Sequence, residues 1–178
     1  MADQLAARFE TDLLPAHVAR SRWYGPRGTP IDRVELGEHA LLNDEGHTWL
    51  LAVVQVHTAE QSERYSLPLA LGWEDTEEER ILQIAGGAVA RVRQQAHVGL
   101  VADATYDEAY YRAIVRAIRA GRTFDTRAGQ IRFVAAPGFS DLVPEIPADL
   151  APNRLPGLGS NSNSVLGDSL FLKTFRRL

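Results

Sequence analysis

The 178-residue sequence has no cysteine. That excludes a disulfide framework and any thiolate-held metal, and it suits a reducing compartment. No apolar run approaches the roughly 20 residues of a membrane-crossing helix. The opening MADQLAARFETDLLPAHVAR carries acids where a secretory signal would hold an unbroken apolar stretch. A cytoplasmic location is therefore expected. Strong charge of either sign is also missing, with a net charge of −4 and a sequence pI near 5.7. Such a chain has no long-range attraction to nucleic acid or anionic membrane, and neither is expected as a partner. The local cluster Arg20, Arg22, Arg27 and Arg33 reads as a solvated face. Hydrophobic residues at 45% and charged residues at 24% are ordinary for a globular protein of this size.

Most catalytic patterns are absent as well. His17, His39, His47, His57 and His97 form no H-x-x-H or H-E-x-x-H pair. His47 and His57 bracket one strand and would lie at its opposite ends. GFSDL lacks the closing glycine of a nucleophile elbow. No G-x-x-x-x-G-K-[ST] occurs, and GLGSNS has two of the three dinucleotide glycines and precedes a strand instead of a helix. The acids of EDTEEER, Glu74 to Arg80, are contiguous and would splay apart, as in a solvated loop or helix start.

What is present is a series of short amphipathic segments. Leu5, Phe9 and Leu13 recur every four residues, which predicts a helix over 2–14 that Pro15 either ends or extends by opening the next turn. Trp23 reads as a core anchor for that helix or, alternatively, as part of a surface used for a partner. IDRVELGEHALL, HTWLLAVVQVHT and ERYSLPLALGW read as three strands with short polar links, an antiparallel meander. Pro68 predicts an edge position or a bulge in the third. AVARVRQQ, HVGLVADA and GQIRFVAA are further strand candidates. Thr105 and Glu108 suggest a capping box for a helix over 106–120, with Tyr110, Ile114, Ala117 and Ile118 on its buried face and Gly121 as its stop. From about 137 to 156 prolines punctuate the chain as a crossing segment. The fold class expected is α+β, with residues 1–100 as one subdomain and 101–178 as the start of another.

The last twenty residues, GSNSNSVLGDSLFLKTFRRL, carry the most pointed chemistry. Ser160, Asn161, Ser162, Asn163 and Ser164 read as a small-residue loop whose hydroxyls and N–H groups suit a phosphate. Val165 and Leu166 begin a strand, Gly167-Asp168 is a hairpin turn, and SLFLKTF places Lys173 between Phe171 and Phe175 on one strand face. A lysine in an apolar surround is costly unless it meets an anion. A polar loop over nucleotide phosphates with a strand lysine reaching them is a kinase-like arrangement.

These residues resemble the kinase core of bacterial maltokinases, sugar kinases with an aminoglycoside-phosphotransferase-like fold. Ser160, Asn161, Ser162, Gly167, Asp168, Lys173, Phe175, Arg176 and Arg177 match the family's motif, while Asn163 stands in place of a serine and Leu158-Gly159 in place of Glu-Gln. LLPAHVARSRWYGPRG, ERYSLPLAL and GLVADATYDEAYYRAIVRAI are similar to upstream parts of the family. The resemblance implies a cystatin-like N-terminal cap followed by an incipient kinase N-lobe hairpin. It implies ATP and Mg²⁺ as cofactors of the complete enzyme and phosphorylation of maltose at C1, with trehalose synthase as a partner or fusion. In it Ser160, Asn161 and Ser162 contact phosphates and Lys173 neutralises them. A glucosamine-type sugar kinase, or a binding module using the cap alone, are the alternatives. Neither an H-G-D nor a D-F-E motif occurs in these residues. The chain by itself is therefore expected to lack phosphotransfer and to bind nucleotide weakly.

Overall fold

The computed structural model describes residues 7–26, 28–143, 152–155, 159–167 and 170–178. Arg27 of the basic cluster, Asp168 of the hairpin turn, Leu158 before the polar loop, and Pro144, Pro147 and Pro156 of the crossing segment lie outside the described residues.

The N-terminal helix runs on through Pro15. A π-turn, Phe9–Leu13, leads into α1, Leu14–Arg20, with Pro15 in its first turn. The Leu14 N–H reaches back to the Phe9 carbonyl, the wide i→i−5 spacing of a π-turn. Proline costs nothing in a first turn, where its missing N–H has no partner to lose. Of the two sequence-based options for Pro15, opening the next turn is the one realised.

Next come β1, Arg33–Asp44, and β2, His47–His57. They meet in a tight turn at Glu45 and Gly46, with φ of 44° and 80°. Both angles are left-handed, as a two-residue hairpin requires. His47 and His57 stand at the two ends of β2, as read from the sequence. The third expected strand is two strands, β3, Ser62–Ser66, and β4, Leu69–Trp73, separated at Leu67-Pro68. Pro68 has no N–H for a ladder, so the chain breaks there and resumes beside a different part of β2. After α2, Glu78–Ile84, come β5, Ala88–Gln94, and β6, His97–Asp103. The order β1-β2-β4-β6-β5, with β3 also on β2, makes one six-stranded antiparallel sheet.

Helix α3, Glu108–Arg119, starts at Asp107, whose carboxylate accepts from the Ala109 N–H. The Thr105 capping box does not form. Thr105 sits in a preceding 3₁₀ turn, and its hydroxyl donates to Asp103. Gly121, at φ 60°, closes the helix as expected. Two faces of α3 are buried. Tyr110, Ala113 and Ala117 pack on Leu42, Trp49 and Leu51 of the large sheet. Tyr111 and Val115 pack on Leu166, Leu170 and Leu172. On the opposite face of the large sheet, Leu14 and Val18 pack with Trp23, Val34, Val54 and Tyr65. Trp23 is thus a core anchor. Burial of each such side chain contributes about 1.5–3 kcal/mol.

A small ribbon, β7, Thr123–Asp125, and β8, Gln130–Arg132, precedes the one-turn α4, Phe139–Leu142. A second sheet then forms from β9, Pro152–Leu155, β10, Asn161–Leu166, and β11, Leu170–Phe175. The architecture is α+β, with mostly antiparallel sheets. Among the described residues no helix is long and apolar enough to cross a membrane.

Candidate functional site

The polar run near the C-terminus is a strand over most of its length. β10 begins at Asn161, so only Gly159 and Ser160 of the described residues remain in a bend, both exposed. Serine and asparagine alternate here, and the pleat sorts them. Ser162, Ser164 and Leu166 face inward, while Asn161, Asn163 and Val165 face the other way. The sequence-based loop over 160–164 missed this because small polar residues read as turn formers, whereas their period of two is a strand signal.

In β11 the alternation expected from SLFLKTF is present. Leu172 turns to α3, and Phe171, Lys173 and Phe175 form an exposed row. Phe171 is 58% and Phe175 59% exposed. The Lys173 ammonium lies 4.7 Å from the centre of the Phe175 ring, a cation–π contact. No carboxylate among the described residues pairs with Lys173. Asn163 stands opposite Lys173 in the hairpin register, and its Oδ1 is buried without a hydrogen-bond partner. Leu155 of β9 stands opposite Asn163 on the other side. One face of the small sheet therefore presents a lysine, an unmet acceptor and an apolar surface of Leu155, Val165 and Phe171.

Ser162 occupies the other face. It is 6% exposed, and its hydroxyl accepts from Arg176 Nε at 2.9 Å. Arg176 is completely buried. Its Nη2 donates to Asp103 Oδ2 at 2.6 Å and to Thr105 Oγ1 at 2.8 Å, and its Nη1 to the Ser66 carbonyl at 3.3 Å. Its guanidinium lies 5.1 Å from the Trp23 ring centre. Burial pushes the Asp103 carboxyl up, but Arg176 and two bonds from Thr105 outweigh it and hold the group below its ordinary value. The Ser66 N–H donates to the Arg176 carbonyl, and the Leu178 N–H to that of Arg64, so the chain beyond β11 runs beside β3. The buried ion pair thus fastens the hairpin to the six-stranded sheet.

Of the sequence-predicted site residues, Ser160, Asn161 and Lys173 lie open on or beside the hairpin, and Ser162 lies under it against Arg176. Arg176 was visible in the sequence only as a motif match. Two adjacent arginines look alike in sequence, and only the neighbours of each decide which is buried.

No curated protein matches the chain. The family model described as the maltokinase N-terminal cap domain matches residues 17–107, from His17 in α1 to the Asp107 cap of α3. That span covers just over half of the residues and all six strands of the large sheet, and the chain accordingly belongs to the maltokinase N-terminal cap domain family.

Proposed function

We propose that the chain supplies the cap and the first N-lobe hairpin of an ATP-dependent sugar kinase resembling maltokinase, which phosphorylates maltose at C1. Residues 1–100 form the cap, with a cystatin-like fold, and residues 101–178 begin the intermediate or N-lobe subdomain. The observation that carries this is the exposed face of the small sheet. Large apolar side chains standing in water as a contiguous group mark a binding surface. Here they flank a lysine that has no carboxylate partner among the described residues, and the pairings Val165 with Phe171 and Asn163 with Lys173 put apolar surface and cation side by side. An apolar plate next to a fixed positive charge suits a nucleotide, with the base on Val165, Leu155 and Phe171 and the phosphates at Lys173.

In this assignment Ser160 and Asn161 contact phosphate at the open end of the hairpin. Ser162 serves the same loop from behind, by holding β10 on Arg176. Mg²⁺ accompanies the ATP. No group of three His, Cys, Asp or Glu side chains comes together among the described residues, so no metal ligand is assigned to them. The cap shapes access to the sugar site or meets a partner such as trehalose synthase.

The test is an ADP-release assay on the whole gene product that carries this chain, with maltose, glucosamine and glucose as acceptors. Maltose-dependent ADP formation is expected, with kcat/KM reduced at least about tenfold in Lys173→Ala. Activity on glucosamine alone would shift the reading to the glucosamine-type kinases. No sugar-dependent ADP formation would leave the cap as a binding module.

A further inference from the structure

A second polar opening lies where the small sheet meets the cap, and Lys173 does not line it. It is a cavity of about 320 Å³ between the end of α1, the Ala85–Gly87 turn and the start of β10. Three guanidinium groups border it: Arg20 and Arg22 from the cap side, and Arg154 from β9. None of the three forms an ion pair among the described residues. The cavity's carboxylate, Asp103, is fully engaged by Arg176 at 2.6 Å. In a protein with a net charge of −4, three unneutralised arginines around one concavity make a local focus of positive potential.

The walls hold these groups in place. Arg20 donates to the Ala88 carbonyl. The Arg154 guanidinium stacks on Tyr106, 3.5 Å from the ring centre. Tyr106 lies flat there because Gly87 has no side chain; a Cβ would sit 2.5 Å from its ring. His17, 5% exposed, lies at the same cavity with Nδ1 3.3 Å from the Ala88 carbonyl, and its buried Nε2 has no partner. A buried polar atom left unmatched in this way is a mark of a missing ligand or water.

We propose that this cleft binds the phosphoryl group of a small phosphorylated molecule. Arg22 and Arg154 are its forked ligands, and Arg20 is the supporting charge. The volume admits inorganic phosphate, pyrophosphate or a phosphorylated monosaccharide. Because Arg22 belongs to the cap and Arg154 to β9 of the small sheet, the bound anion bridges the two and stiffens β9 beside β10. The site shares Leu155 and Asn161 with the nucleotide face, but Lys173 does not line it.

Titration calorimetry of inorganic pyrophosphate into the whole protein, without Mg²⁺ and at moderate salt, tests this. Saturable one-to-one binding is expected, weakened about tenfold or more in Arg22→Gln/Arg154→Gln and unchanged in Lys173→Ala. Both arginines are exposed, so the double variant keeps the wild-type melting temperature; if it does not fold, Arg22→Gln alone repeats the comparison. Absence of saturation up to roughly 10 mM pyrophosphate, or equal affinity in the arginine variants, overturns the proposal. Loss of binding in Lys173→Ala with the arginine variants unaffected overturns it too, by placing the anion at Lys173.

Discussion

Removing the Arg176 guanidinium would leave Asp103 charged and buried without its counter-charge, held only by the two bonds from Thr105. An uncompensated charge of this kind costs about 3–5 kcal/mol, so Arg176→Ala is expected to lower unfolding free energy by that amount in urea titrations. Arg177→Ala, one residue on and on the surface, should stay within about 0.5 kcal/mol. Equal losses for the two would refute the assignment of Arg176 as the clamp. Two buried groups also set the response to acid. Burial pushes His17 below the usual imidazole value, against the upward pull of Asp103 and the Ala88 carbonyl. Unfolded His17 takes up a proton near pH 6.5, whereas the folded residue resists it, so stability falls as pH drops below about 6.5. Asp103 has a lowered folded value, so its contribution is complete above about pH 3.9 and is lost as pH falls through that folded value. His17→Asn should therefore flatten the urea midpoint between about pH 7 and 5 while leaving the drop below pH 4. An unchanged slope in the upper range would assign it to another group. Neither effect was legible in the sequence. His17 reads as one more structural histidine, satisfied or exposed, and Asp103 as the end of a strand, until the fold closes Arg176 over them.

At the scale of elements, periodicity carried most of the structure and local chemistry set the boundaries. The β1–β2 hairpin, β5, β6 and the Gly121 stop of α3 follow from alternation, turn residues and a required positive φ. The start of α3 did not, because the side chain of Thr105 is engaged elsewhere. Thr105 is drawn off by Asp103 and Arg176, leaving Asp107 to cap. Asp107 also accepts from the Trp49 indole at 2.8 Å and from Arg80 at 2.9 Å. Its loss is therefore expected to exceed the roughly 1 kcal/mol of a cap alone. Asp107→Ala should cost about 3 kcal/mol by thermal unfolding, and Asp107→Asn, which keeps the cap, noticeably less. A loss near 1 kcal/mol would mean that the Trp49 and Arg80 contacts contribute little. The second buried side of α3, with Tyr111 and Val115, escaped a single-stripe pattern because the helix lies between two sheets and uses two stripes.

For the whole molecule, the α+β class and the succession of strands were readable, but the joining of hairpin to cap was not. It depends on residues far apart in sequence, with Arg176 reaching Asp103, Ser162 and the backbone at Ser66. The same joining leaves one face of the small sheet open, and that face bears Lys173, Phe171 and Phe175. The central claim is that this face meets nucleotide phosphate. Titration of Mg-ATP into the whole gene product, wild type against Lys173→Ala, measures it most directly. The account predicts saturable binding that weakens at least about tenfold in Lys173→Ala and is preserved in Arg22→Gln/Arg154→Gln. Equal affinity of wild type and Lys173→Ala for Mg-ATP would contradict it.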